Sequence, residues 1–292
     1  MEIVLIFNGL GNQMSQYAFF LSKKKYIKHC VTLFDDSSRE NHNGYELGDI
    51  FGIECENGVK ASLFQFLYRI LVWSRLKGLG RLMKIIGLSI VYEAKNYDFN
   101  PYLLKSDSLF GIKYFFGGWH SEKNFLSVTD EVRKVFKFPQ ITDENCLRFV
   151  DLIKCSSESV SLHVRRGDYV DIMPDDYYQF GGVATLDYYK KAIDKMKSLV
   201  GDCTYFIFSN DLNWCRENFP HINAYYVDCN IGRNSWRDMY LMTLCKHHIN
   251  ANSTFSWWGA WLAENEGITI SPQRFIRTVE TKDIYPERWI KI

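Results

Sequence analysis

The stretch Ser159-Val160-Ser161-Leu162-His163-Val164-Arg165-Arg166-Gly167-Asp168-Tyr169 decides how this chain is read. Val160, Leu162 and Val164 alternate with Ser161 and His163, a two-residue period that predicts a β-strand. Arg165 and Arg166 stand where that strand would end, and Gly167 suits a tight turn. A guanidinium is a planar fork that grips phosphate oxygens in pairs. In an open α/β sheet, ligands bind beyond the carboxyl ends of the strands, where this pair would lie. A surface arginine pair bridged to carboxylates is the plainer alternative.

Outward from this strand, the second half alternates strands and helices. Thr204 to Phe208 predicts a strand running into Ser209-Asn210-Asp211, and Ala224 to Val227 predicts another. Arg237 to Cys245 reads as an apolar helix with Asp238 near its start. His248-Ile249-Asn250-Ala251-Asn252-Ser253-Thr254-Phe255 reads as a strand and a turn, with a helix beginning near Phe255 and Ser253 or Thr254 as its N-cap. Ile268 to Ser271 predicts the last strand. Paired arginines, hydroxyls at a helix N-terminus and Asp238 as an acceptor for an amino-imino edge together describe a nucleoside diphosphate site that needs no metal.

The first half begins with the apolar run Ile3 to Phe7, as expected of a strand buried on both faces. It enters Asn8-Gly9-Leu10-Gly11-Asn12-Gln13-Met14 and then a helix reaching Ile27. Strand, glycine turn and helix suit a phosphate or sugar, although the dinucleotide glycine spacing is absent and an ordinary βα turn fits equally. Val31 to Asp35 predicts a second strand, and residues 36–58 a loop. Residues 57–92 contain no acidic residue but carry Lys60, Arg69, Arg75, Lys77, Arg81 and Lys84. They read as core helices with solvated basic faces, or as a contact with an anionic membrane. Trp119 and His120 follow a strand ending in Gly117-Gly118, where they could stack on a sugar or form a core pair. The polar run from Cys155 to Glu158 predicts a boundary between domains 1–155 and 156–292.

Composition narrows the function classes. With a net charge of +1, the 292-residue chain offers no global attraction for nucleic acid. Its eight cysteines are scattered, without Cys-x-x-Cys pairs or zinc-ligand spacing, as in a reduced intracellular protein. No apolar run reaches the ~20 residues that span a bilayer. The N-terminus lacks the basic lead of a secretory signal. A cytoplasmic protein is expected, with residues 57–92 a candidate contact at the inner face of the membrane.

Four segments together carry a family resemblance: Gly9 to Met14, His163 to Asp168, Phe208 to Asp211, and Asn252-Ser253-Thr254-Phe255-Ser256-Trp257-Trp258-Gly259-Ala260-Trp261. In order and over nearly the full length, the chain resembles the α-1,2-fucosyltransferases of glycosyltransferase family 11, in a bacterial, soluble form. His-x-Arg-Arg is shared with α-1,6- and protein O-fucosyltransferases; the 252–261 run belongs more to the α-1,2 group. The resemblance implies an α/β fold of GT-B type, two Rossmann-like domains facing a cleft. The first would be the acceptor side and the second would hold GDP-fucose. It implies inverting transfer of L-fucose to the 2-hydroxyl of a terminal galactose. The α-1,6 linkage and a non-catalytic glycan-binding module are the alternatives.

Carried over residue by residue, Arg165 would grip the β-phosphate beside Arg166, and His163 and Asp238 would meet the guanine. Asn252, Ser253, Thr254 and Phe255 would surround the pyrophosphate. Gly11, Asn12 and Gln13 would face the phosphate–sugar region from the other domain. Asp168 would orient the arginine loop, and Trp119 and His120 would meet the acceptor. Arg165, Asp168 and Asn12 are the expected catalytic residues. Asp168, Asp171, His120 and a donor phosphate oxygen are open choices for the base. GDP-fucose and a galactose-terminated glycan are the expected partners, with no cofactor and no metal. A lipid-linked acceptor would give residues 57–92 a use.

Overall fold

Two all-parallel sheets organise the chain in a computed structural model that describes residues 1–35, 43–105, 110–169 and 179–292. The first contains β1 (Glu2–Ile6), β2 (Cys30–Phe34), β3 (Leu88–Tyr92) and β4 (Ile112–Phe116), in the order β2-β1-β4-β3. The second contains β5 (Ser159–Val164), β6 (Thr204–Ser209), β7 (Ala224–Tyr226), β8 (His247–Ile249), β9 (Thr269–Ser271) and β10 (Ile290–Lys291), in the order β10-β9-β8-β5-β6-β7. In the first unit, Met1–Phe138, the helices are α1 (Leu10–Lys24), α2 (Glu46–Phe51), α3 (Gly58–Leu76), α4 (Gly80–Ile85), α5 (Pro101–Leu104) and α6 (Thr129–Val135). The second, Pro139–Ile292, adds α7 (Glu144–Cys155), α8 (Leu186–Val200), α9 (Leu212–Asn218), α10 (Trp236–Leu244) and α11 (Thr254–Leu262). This is the doubled α/β layout expected of the GT-B type.

Side-chain alternation explains how the second sheet is covered. Tyr205 and Ile207 of β6 join Val160, Leu162 and Val164 of β5 on one face, against Tyr188, Ala192 and Met196 of α8. Phe206 and Phe208 point to the other face, against Val150 and Ile153 of α7 and Leu241 and Met242 of α10. Burying each such aliphatic or aromatic side chain stabilises the fold by about 1.5–3 kcal/mol. This packing moves the domain boundary. Helix α7 completes the second sheet's core, so the units meet at Phe138 and Pro139 and not after residue 155.

The first unit departs from its sequence reading in two places. Residues 46–51, expected as loop, form α2. The basic segment holds two helices and also the edge strand β3, which pairs in parallel with β4 from Leu88↔Ile112 to Tyr92↔Phe116. On its inner face, α3 packs Ala61, Phe64 and Leu71 against Ile3, Leu5, Leu33 and Tyr114 of the sheet.

One buried ion pair ties α1 to β1. Lys23 Nζ lies 2.6 Å from Glu2 Oε2, with both side chains at or below 1% exposure. It also donates to the Leu103 carbonyl at 2.6 Å and sits 3.9 Å from the centroid of Phe115. Burial lowers the Lys23 pKa, and the Glu2 carboxylate opposes that shift. Glu2→Ala strands a buried ammonium and should cost about 3–5 kcal/mol in thermal or denaturant unfolding. Joining Glu2→Leu to Lys23→Met should recover most of that loss; a double variant as unstable as the single one would contradict it.

Candidate functional site

Strand β5 lies between β6 and β8, so the loops after all three leave one edge of the sheet together. His163 is 7% exposed at the end of β5, its ring centroid 5.8 Å from that of Phe255 in α11. Its Nδ1 has no hydrogen-bond partner among the described residues. Burial, with the neighbouring Arg165 charge, pushes the His163 pKa down to about 3 and keeps the ring neutral. Arg165 is half-buried, its guanidinium carbon 5.5 Å from the centroid of Tyr169. The Tyr169 hydroxyl donates to the Asn252 carbonyl at 3.3 Å, joining the loop after β5 to the loop after β8.

Arg166 has a different task from its neighbour. Its Nε donates to Asp211 Oδ2 at 3.1 Å, and its guanidinium carbon lies 4.2 Å from the Trp214 ring centroid. Its backbone N–H donates to Asn210 Oδ1 at 2.9 Å. A carboxylate and an indole thus engage Arg166, which braces the loop after β6. Gly167 permits the close approach. Its φ is +53°, and a Cβ there would stand 2.5 Å from Asn210 Nδ2.

Helix α11 starts at Thr254, and the Ser253 hydroxyl caps it by accepting the Phe255 N–H at 3.3 Å. That cap leaves the Ser253 hydroxyl proton available, while Thr254 is half-buried beside it. The helix N-terminus presents N–H groups to this edge, a favourable place for an anion. Asn252 is fully buried, and its Oδ1 has no hydrogen-bond partner among the described residues. Its amide donates to the carbonyls of Phe180 at 2.8 Å and Phe275 at 3.0 Å, so it pins the loop from beneath.

Asp238 lies in the first turn of α10, where Asn230 Nδ2 donates to its Oδ1 at 2.8 Å. Burial pushes its carboxyl up to about 7, and the Asn230 bond partly opposes the shift. Asn230 was missed in the sequence. Its Oδ1 is buried without a partner among the described residues, and it belongs to an irregular connection with no periodic signal.

In the first unit, the Gly9 to Met14 motif serves the fold. Asn8 adopts a left-handed φ of +62°, a conformation asparagine tolerates. Gln13 is fully buried, donating to the carbonyls of Asn8 and Gly44 at 2.7 Å and accepting the Glu46 N–H at 3.0 Å. Its amide is spent on backbone, which corrects its expected ligand role. The Glu46 carboxylate accepts the Leu10 N–H at 2.9 Å, so a side chain occupies part of the α1 N-terminus. Gly11 is buried in that first turn; Asn12 is half-buried beside it.

Trp119 and His120 are likewise corrected. Trp119 is 2% exposed and stacks on Phe19 with centroids 4.1 Å apart and planes at 6°. His120 is 4% exposed, edge-on to Tyr97, with its pKa pushed down to about 3 by burial. Both rings are core members with little surface left to stack on a sugar, and burial disfavours the protonated form of His120. Glu93, missed in the sequence, organises this turn by accepting the N–H groups of Gly118 at 2.7 Å and Trp119 at 2.8 Å. Burial pushes its carboxyl up to about 7 against those two bonds. Asp168 lies in the short 3₁₀ turn Gly167–Tyr169, and Asp171 falls outside the described residues.

Residues 92–292 match the family described as glycosyl transferase family 11. The chain is similar to an alpha-1,2-colitosyltransferase of Escherichia coli, 31% identical over 291 residues, covering 97% of this chain and 96% of that one. It is also similar to the O-antigen biosynthesis glycosyltransferase WbnK of Escherichia coli, 30% identical over 305 residues, with coverages of 97% and 98%. Galactoside alpha-(1,2)-fucosyltransferase 1 of Leontopithecus chrysomelas is 29% identical over 140 residues, covering 46% of this chain and 38% of that one.

Proposed function

The chain belongs to glycosyl transferase family 11, and from that premise we infer that it transfers L-fucose from GDP-β-L-fucose to the 2-hydroxyl of a terminal galactose, with inversion. The observation that carries this reading is the meeting of three features at one sheet edge. These are the Arg165 cation, the neutral His163 ring with its buried, unpartnered Nδ1, and the capped start of α11 at Ser253 and Thr254. Arg165 holds the β-phosphate, and the Ser253 and Thr254 hydroxyls contact the pyrophosphate. His163 and the Asp238 carboxylate meet the guanine. Asp168 orients the arginine loop.

The chemistry follows from where charge develops. As the bond from the fucose C1 to the β-phosphate oxygen breaks, the sugar becomes oxocarbenium-like and negative charge grows on the leaving diphosphate. A guanidinium fixed at the strand end stabilises that charge more in the transition state than in the bound donor. The N–H groups at the α11 start add to it, so no metal is required. The acceptor 2-hydroxyl attacks from the opposite face, passing its proton to a carboxylate such as Asp168 or to an oxygen of the departing diphosphate, which gives the α-linkage. Transfer of colitose, a fucose lacking its 3-hydroxyl, is the second reading, favoured by the full-length similarity to a colitosyltransferase.

Arg165→Ala should lower turnover roughly 10²-fold or more, about 3 kcal/mol of barrier, with the melting temperature unchanged. Retained turnover would remove Arg165 from the mechanism. EDTA should leave the wild-type rate unaltered, and loss of activity on chelation would refute metal-free departure. In the same assay GDP-fucose and GDP-colitose, offered separately with galactose-terminated acceptors, identify the donor by product mass and linkage.

Asp238 makes nucleoside binding pH-dependent. Guanine N–H groups need an ionised acceptor, and this carboxyl titrates at about 7. Guanosine affinity should therefore rise with pH up to about 7 and level off above it, falling by up to about tenfold per pH unit below. Guanosine carries no phosphate to titrate, and His163 stays neutral across this range. Calorimetry on wild type and Asp238→Asn should show the dependence only in wild type. A flat wild-type profile would contradict the assignment.

A further inference from the structure

Helix α3 has two apolar faces, and only one of them is used by the core. Ala61, Phe64 and Leu71 face the sheet. Val59, Leu63, Phe66 and Trp73 recur in steps of four, three and seven residues and line another face of the helix. These four side chains are 89%, 53%, 60% and 56% exposed. Helix α4 continues the surface, with Leu82 51% and Ile85 77% exposed. Monomeric soluble proteins seldom leave so continuous an apolar surface open to water unless something covers it.

The charges around this face identify what covers it. Arg69, Lys77, Arg81 and Lys84 are exposed on the same two helices and the turn between them, while Arg75, also exposed, lies 4.6 Å from the Tyr92 ring centroid on another side of α3. No aspartate or glutamate occurs from residue 57 to residue 92. Glu56 lies just before the segment and pairs with Lys60 at 2.8 Å, so the remaining basic side chains have no acidic counterpart from their own helices. A second copy docking through this face would oppose like charges, which disfavours self-association. A surface of anionic headgroups over hydrocarbon matches both features: the arginines and lysines meet phosphate, and the aromatic and aliphatic side chains enter the acyl boundary. Among the described residues no helix is long and apolar enough to cross a membrane, so contact would be from one side.

We propose that α3 and α4 form a docking face for an anionic phospholipid surface. Docking would bring the enzyme to membrane-borne acceptors, although the docking itself does not depend on which sugar is transferred.

The test is co-sedimentation of the full chain with phosphatidylcholine vesicles, with and without phosphatidylglycerol. Binding should require phosphatidylglycerol and weaken roughly tenfold or more as salt is raised, because screening shortens the reach of the basic groups. Phe66→Ser with Trp73→Ser should lower binding roughly tenfold or more. Arg81→Glu with Lys84→Glu should do the same. Since these side chains are exposed, unfolding temperature should stay unchanged in both variants, confirming that a loss is local. Failure to bind phosphatidylglycerol vesicles, equal binding to pure phosphatidylcholine, or binding unaltered in both variants would each overturn the proposal. So would a wild-type dimer in sedimentation equilibrium that Phe66→Ser with Trp73→Ser converts to monomer, since a second copy would then be the occupant.

Discussion

The second unit depends on one strand being buried on every side. All six residues of β5 are buried, with β6 and β8 hydrogen-bonded along its two edges and helices over both faces. A parallel strand in that position cannot shift register without turning His163 and the apolar Val160, Leu162 and Val164 to the wrong faces. Its carboxyl end is therefore a fixed point. Parallel pairing then sends the chain out of β5, β6 and β8 at one edge, which places residues 165–169, 209–211 and 250–254 side by side.

That arrangement divides labour between residues that look equivalent. Arg165 and Arg166 are adjacent, but successive residues at a strand end diverge, and only Arg166 reaches Asp211 and Trp214. Ser253 and Asn252 are also neighbours. Ser253 caps α11, while Asn252 turns inward and secures two carbonyls from distant loops. A rigid bed beneath a few outward-facing groups is what electrostatic preorganisation requires, because groups already held in place need little reorganisation as charge develops. The same pairing of edge and foundation recurs in the first unit, where Gln13, Glu46 and Glu93 bind backbone at the carboxyl ends of β1, β3 and β4.

Much of the fold was legible from patterning. The apolar run at β1 and the alternation in β5 and β6 each produced the expected strand, and Ser253 capped its helix as a serine before an apolar run should. Strand β3 escaped because its residues continue the basic, leucine-rich composition of the helices before it, and pairing with β4 is a long-range choice. Helix α2 escaped because six residues carry too little periodicity. The domain boundary was misplaced because a polar break at 155–158 marks the end of a helix, whereas the unit to which α7 belongs is set by its packing on Phe206 and Phe208.

For the candidate site, residue chemistry identified the loops but not each residue's partner. By itself the amino-acid sequence determined that strands would alternate with helices, that Arg165 would stand at a strand end, and that a helix capped by Ser253 or Thr254 would start near Phe255, since these follow from local period and turn chemistry. Only the tertiary structure decided that Arg166 pairs with Asp211, that Gln13 is spent on backbone, that the Asn252 amide holds two distant carbonyls, and that Trp119 lies in the core. It also decided that Asp238 and Glu93 have carboxyl groups titrating near 7. Those outcomes rest on desolvation and on partners far away in the chain, and neither is encoded in the spacing of neighbours.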